Sequence, residues 1–188
     1  MRIERVWAMP NRWTYKIKPI REFLDYEMGN GGQWCDPFAG KYSPAQMTND
    51  INLKLNVLHH QDALVFLKDF PSETFDGVLF DPPYSPTQMK RNYEENNLVM
   101  PKRQTGQEFW SKCKDECARI IKPGGKIICF GWNSNGAGKK RGFTLIRVLL
   151  VAHGGGRNDT ICTIELKDVA GECRDLFVCS GGIVTGGA

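Results

Sequence analysis

An α/β domain built on a seven-stranded, mostly parallel sheet with an antiparallel C-terminal hairpin is predicted by two observations. Short runs rich in β-branched and aromatic residues recur along the chain with helical or loop stretches between them. The last two runs are separated only by the glycine-rich "HGGGRND", too short for a parallel crossover. Connections between the parallel strands then place helices on both faces of the sheet. With 188 residues and 41% hydrophobic content the length fits one domain, which we assign to 1–170, and leaves 171–188, ending "CSGGIVTGGA", as a C-terminal tail.

In chain order, a helix is expected over 19–28 ("PIREFLDYEM"), with Pro19 in its first turn. Strands are expected at 32–38, 47–52 and 56–62, and a helix at 63–69. The strand at 75–81 carries Val78, Leu79 and Phe80 and must stop at Asp81, because Pro82 and Pro83 have no N–H for a ladder. The stretch 85–105 is polar without a periodic apolar face and reads as a long loop of the kind that carries function. Phe109, Cys113, Cys117, Ile120 and Ile121 give a helical repeat over 106–122, ended by Pro123-Gly124-Gly125. Strands at 125–132, 143–152 and 159–167 complete the sheet.

The formal charge of +4 is compatible with nucleic acid without marking a polycationic binder. Seven cysteines with no CxxC pair, behind an N-terminus that does not read as a signal peptide, are expected as reduced thiols in a cytoplasmic protein. The longest apolar run, 143–152, is too short for a bilayer and is interrupted by Arg147, so no membrane span is expected. Cys113 and Cys117 lie four apart on a helix with no third ligand nearby in sequence, so they read as buried thiols and no metal site is expected.

The chemistry-bearing residues cluster at strand ends, where open α/β sheets bind ligands. Four successive strand ends carry an acid: Asp36 in "DPFAG", Asp50, Asp62, and Asp81 in "DPPY". The proline pair stiffens the last of these, so that the Asp81 carboxylate, the Pro82 carbonyl and the Tyr84 ring project from a fixed edge.

On "DPFAG", the acids that follow it and "DPPY", the chain resembles S-adenosylmethionine-dependent amino-group methyltransferases of the DNA adenine-N6 kind, over roughly residues 15–167. "DPPYSP" with "FW", "KPGGKI" and "FGWNSNG" looks closest to the small enzymes carried by phages and other mobile elements. The resemblance implies a Rossmann-like methyltransferase fold, S-adenosylmethionine as cofactor and adenine in DNA as substrate. It places Asp36, Pro37, Phe38, Ala39, Gly40, Asp50 and Asp62 around the cofactor, Asp50 on its ribose and Asp62 on its adenine amine, with Lys18 and Pro19 of "YKIKP" beside its methionine end. It makes Asp81, Pro82, Pro83 and Tyr84 the catalytic motif.

Elementary chemistry agrees. The adenine amine is a poor nucleophile until its hydrogens are drawn out of the ring plane, and Asp81 and the Pro82 carbonyl can each accept one, while Tyr84 offers a face on which an extruded base stacks. Trp132 is placed to wall the same pocket. Lys90 and Arg91, with Lys102 and Arg103, and the "GKKRG" run of Lys139, Lys140 and Arg141 are candidates for phosphate contact or for solvated loops. Lys41 and Tyr42 stand where the family continues into glycine, and only seven residues separate Gly40 from Thr48, so the usual helix after the first motif cannot fit. No separate target-recognition domain is expected within this stretch, which leaves that task to loops, a second copy or a separate specificity subunit. RNA adenine or guanine, cytosine-N4 and protein-glutamine chemistry, and an idle nucleic-acid-binding subunit, remain open beside the DNA adenine reading.

Overall fold

The computed structural model describes residues 1–29, 31–96 and 106–169. Seven strands form one sheet in the order β1-β6-β7-β5-β4-β2-β3. They are β1 (Arg2–Trp7), β2 (Trp34–Asp36), β3 (Met47–Thr48), β4 (Phe75–Phe80), β5 (Ile121–Gly131), β6 (Phe143–Ala152) and β7 (Thr160–Lys167). Every neighbouring pair is parallel except those made by β7, which lies antiparallel between β5 and β6. The C-terminal pair is thus antiparallel as the short glycine turn requires, and Gly154, Gly155 and Gly156 all take the positive φ that such a turn needs.

The strand count agrees with the sequence reading, but two members differ. The stretch 56–62 is not a strand; one bridge joins Asn49 to His59, and the Asn49 side chain takes the Gln61 N–H and carbonyl that a ladder would have used. The seventh strand is β1, whose three charged positions hid its alternation: Glu4 and Val6 face helix α1, while Ile3, Arg5 and Trp7 face the other way.

Helices α1 (Lys18–Met28), α2 (Ala63–Lys68) and α4 (Gly106–Ile120) occupy the expected stretches. The fourth, α3 (Pro86–Glu95), falls where a loop was expected. Ser85 caps it by accepting from the Gln88 N–H and Pro86 starts it, a capping signal outweighed in the sequence by the polar composition. The remainder of that expected loop, 97–105 with Lys102 and Arg103, lies outside the described residues, as does the tail 171–188.

The sheet separates two cores. On one face α1 sets Ile20, Phe23 and Leu24 against Leu79, Ile128, Phe130 and Leu149. On the other, Phe66 and Leu67 of α2 and Phe109, Cys113 and Cys117 of α4 pack on Val78, Phe80 and Ile127. Gly77 is required in β4: a Cβ there would lie 2.4 Å from the ring of Trp34, its partner in register. The thiols of Cys113 and Cys117 are buried in this core, and no His, Cys, Asp and Glu cluster among the described residues has metal-binding geometry. No described helix is long and apolar enough to cross a membrane.

Candidate active site

All parallel strands end at one rim, and two cavities open there. The first, about 350 Å³, is lined by Trp13, Thr14 and Tyr15, by Pro37 to Tyr42, by Asp50, Ile51 and Gln61, and by Met89 and Tyr93 of α3. The second, about 460 Å³, lies between the end of β5, α4 and the 132–141 segment, with Trp110, Lys114, Cys129 and Trp132 in its wall. Pro82, Pro83 and Tyr84 line both. The tip after β4 is therefore a partition with a cavity on each side.

The geometry of the partition follows from its sequence. Tyr84 folds back so that its hydroxyl donates to Asp81 Oδ1 at 2.5 Å, and its ring stands edge-on to Trp132 with centroids 5.4 Å apart. The stacking face expected of Tyr84 is thus shared with Trp132, and one carboxylate oxygen of Asp81 has a partner. Desolvation raises the Asp81 pKa to about 6, against the lowering effect of the Tyr84 and Thr14 hydroxyls.

Asp36 is not in either cavity wall; it is fully buried beneath the first motif. Its carboxylate accepts from Tyr15 Oη at 2.7 Å, Ser43 Oγ at 2.6 Å and the Phe38 N–H at 3.0 Å. Burial pushes it up to about 7, the three donors oppose this, and the nearby Asp81 adds to it. Asp36 therefore anchors the loop that Pro37, Phe38, Ala39 and Gly40 present to the first cavity. Asp50 lines that cavity while its Oδ2 accepts from the Gly40 N–H at 3.0 Å and its Oδ1 from the Asn52 N–H at 2.9 Å; burial raises its pKa. Residues 40–46 form no helix, in line with their number.

Asp62 is the N-cap of α2, accepting from the Leu64 and Val65 N–H groups, and its other oxygen accepts from Tyr93 Oη at 2.5 Å. Both oxygens are engaged within the protein. Lys18 is exposed and pairs with Glu22, and neither it nor Pro19 reaches the cavity; Thr14 and Tyr15, just upstream, do. Lys90 and Arg91 pair along α3 with Glu94 at 3.6 Å and Glu95 at 2.5 Å. Arg141 is tied to Asp115, the Ala137 carbonyl and Ser111, while Lys139 and Lys140 are exposed.

Three contributors escaped the sequence reading. Asn49 is fully buried and ties the ends of β2 and β3 to the segment before α2, donating to the Pro37 and Gln61 carbonyls. Gln61 lines the first cavity with Oε1 buried and without a partner. Trp110 lines the second with its indole N–H likewise buried and without a partner. No sequence signal separates these from ordinary core polar groups.

The architecture matches solved methyltransferase structures. TrmN from Thermus thermophilus superposes with a TM-score of 0.53 at 15% identity, covering 80% of this chain and 49% of that one. The 1,6-didemethyltoxoflavin-N1-methyltransferase of Burkholderia thailandensis, solved with S-adenosylhomocysteine, gives a TM-score of 0.53 at 10% identity, covering 81% and 78%. The fold is that of a Rossmann-like methyltransferase. In sequence, 83 residues are 29% identical to the type II methyltransferase M.BamHI of Bacillus amyloliquefaciens, 43% of this chain but 19% of that protein. The chain thus spans about a fifth of that curated relative's length. No protein-family model matches the sequence.

Proposed function

We propose that the chain transfers a methyl group from S-adenosylmethionine to the exocyclic amine of a nucleobase in a polynucleotide, with adenine N6 in DNA as the leading target. The observation that carries this reading is the partition: Pro82, Pro83 and Tyr84 have a cavity on each side, one for a donor and one for an acceptor, with Asp81 in the wall of the first.

The first cavity fits a nucleoside joined to a charged amino acid. Phe38 and Ile51 offer apolar walls for a purine, Asp50 an acceptor for ribose hydroxyls, and the unpartnered Gln61 Oε1 an acceptor for a ring amine. Gln61 takes this role in place of the neighbouring Asp62, whose oxygens are already used. Arg12 lies over the Trp13 ring at 4.8 Å in the same wall, with Lys41 adjoining, and can face a carboxylate. The bound cofactor supplies an electrophilic methyl on a sulfonium.

The second cavity fits the acceptor base. Tyr84 and Trp132 form an aromatic wall, and the unpartnered Trp110 N–H can donate to a ring nitrogen or carbonyl. At the partition, the Asp81 carboxylate and the Pro82 carbonyl accept the two amine hydrogens, which directs the nitrogen lone pair toward the methyl. With the cofactor bound, the nitrogen would take its methyl as the C–S bond breaks, leaving a thioether, and the proton released from the amine would pass to solvent.

A second reading, an idle nucleic-acid-binding subunit, is favoured by the missing helix after Gly40. Incubation with S-adenosylmethionine and DNA or RNA, followed by nucleoside mass spectrometry, separates the possibilities. N6-methyldeoxyadenosine supports the proposal; N4-methyldeoxycytidine or a methylated ribonucleoside redirects it; no product together with no heat on cofactor titration supports the idle subunit.

A further inference from the structure

The floor of the second cavity does not end at the cavity. Cys129 of β5 is level with Thr163, Val148 and Ile3 on successive strands, and Gly131 with Ile161, Leu150 and Arg5. Ala152 and Trp7 form the next row toward the rim. These residues share the face on which α4 packs, but the segment joining β5 to β6 makes only one 3₁₀ turn, at Lys139–Arg141, instead of a covering helix. Cys129, Thr163 and Ala152 are buried and Val148, Leu150 and Ile161 half-buried, so the strip opens toward β1, where Ile3 and Trp7 are 65% and 64% exposed.

Trp7 sits at the rim end of this strip, against a hairpin turn whose glycines carry no side chains to cover it; a Cβ on Gly154 would lie 3.5 Å from its indole nitrogen. Charge is distributed unevenly around it. The exposed cations of α1 and α3 are matched by carboxylates one turn away. Arg5, inside the strip, and Arg157, in the hairpin turn, are exposed and meet no carboxylate among the described residues.

Building on the polynucleotide reading above, we propose that the strip from the second cavity across β7 and β6 to β1 is the track for single-stranded nucleic acid flanking the target nucleotide, with Trp7 stacking a base and Arg5 and Arg157 contacting phosphates. Open sheet faces with an aromatic side chain and nearby cations are how proteins hold unpaired strands, since every base has a face to stack and every linkage a charge to neutralise. Three strand spacings separate β5 from β1, about 14 Å, so Trp132 and Trp7 can engage different nucleotides of one strand. An apolar protein partner would instead cover Arg5 in the middle of the strip without a counter-charge.

The test is a salt titration of affinity for fluorescein-labelled oligodeoxyadenylate, read by anisotropy, on the parent chain, Trp7→Ala, Trp7→Phe and Arg5→Ala/Arg157→Ala. Trp7→Ala should weaken binding about 5- to 150-fold and Trp7→Phe should restore most of it, as expected of stacking. The double arginine variant should lower the log–log salt slope by about 1.4, roughly 0.7 for each phosphate on a single strand. Thermal midpoints establish that each variant folds, and sedimentation follows its oligomeric state. Unchanged affinity and slope in folded variants overturn the track, as does a parent oligomer that Trp7→Ala dissolves without loss of affinity. A parent chain that binds no polynucleotide overturns the proposed function itself, which keeps the two failures distinct.

Discussion

The hydroxyl of Tyr84 donates to Asp81 Oδ1 at 2.5 Å, so the two ends of the four-residue tip are closed on each other across the proline pair. The bond stabilises the ionised form of Asp81 against desolvation, which raises its pKa to about 6. An acceptor of amine hydrogens must be ionised. Methyl transfer should therefore fall as pH drops through about 6. In Tyr84→Phe, with the stabilising donor gone, the acid limb should move to higher pH. Single-turnover rates across pH check this, and an acid limb that stays in place would remove the Tyr84–Asp81 bond from the working enzyme.

Asp36 gives an opposite, purely structural pH effect. Its folded pKa of about 7 lies above the ordinary 3.8, so between these values the folded protein holds a proton that the unfolded chain has lost. On this account Asp36 makes stability fall as pH rises from about 4 to about 7, with the penalty fully present above that window. Asp36→Asn keeps an acceptor for Tyr15 and Phe38 and should flatten this part of the stability curve, read as thermal midpoints at several pH values. A slope identical to the parent's would contradict the assignment.

Gln61 and Asp50 should separate binding from folding. Gln61→Leu removes an acceptor that no protein group uses, so the thermal midpoint should be kept or raised while cofactor affinity falls about tenfold, the value of one neutral hydrogen bond. Asp50→Ala should weaken the cofactor about 10- to 100-fold through lost charge-assisted bonds, and should also loosen the Gly40 turn that Asp50 holds. Calorimetric titration with S-adenosylmethionine measures both; equal affinity in either variant takes that residue out of the site.

Asp62 should behave as a cap. Asp62→Ala should cost about 1–2 kcal/mol of stability through loss of its bonds to the Leu64 and Val65 N–H groups. Tyr93→Phe, which spares the cap, should cost less. Denaturant midpoints give both numbers, and a neutral Asp62→Ala would show that the cap contributes nothing.

How far the sequence could be read depends on whether a residue's role is local. The arrest of β4 at Asp81 and the turn at Gly154–Gly156 follow from proline and glycine stereochemistry, and each is where it was expected, whereas α4 stops at Ile120 and Pro123-Gly124-Gly125, read as its terminator, lie inside β5. α3 was missed because its start signal, Ser85 and Pro86, is followed by a polar face rather than an apolar stripe. The strand expected at 56–62 is absent because Asn49, a tertiary clamp, takes the Gln61 N–H and carbonyl in place of a ladder. At the site, the strand-end acids were legible but their division of labour was not. Asp36 holds the loop, Asp62 caps a helix and Gln61 faces the cavity, and only the packing of β2, β3 and the segment before α2 decides which is which.

The central claim is that Asp81 acts on the acceptor amine from a partition between donor and acceptor cavities. The direct measurement is the transfer of labelled methyl from S-adenosylmethionine to DNA by the parent chain and by Asp81→Ala, with cofactor affinity of both determined by calorimetry. The account predicts that the parent labels adenine at N6, and that Asp81→Ala loses transfer by at least about a thousandfold, roughly 4 kcal/mol of transition-state stabilisation, while binding the cofactor within a few-fold of the parent. Transfer by Asp81→Ala at a rate close to the parent's, or loss of cofactor binding in step with loss of transfer, would contradict it.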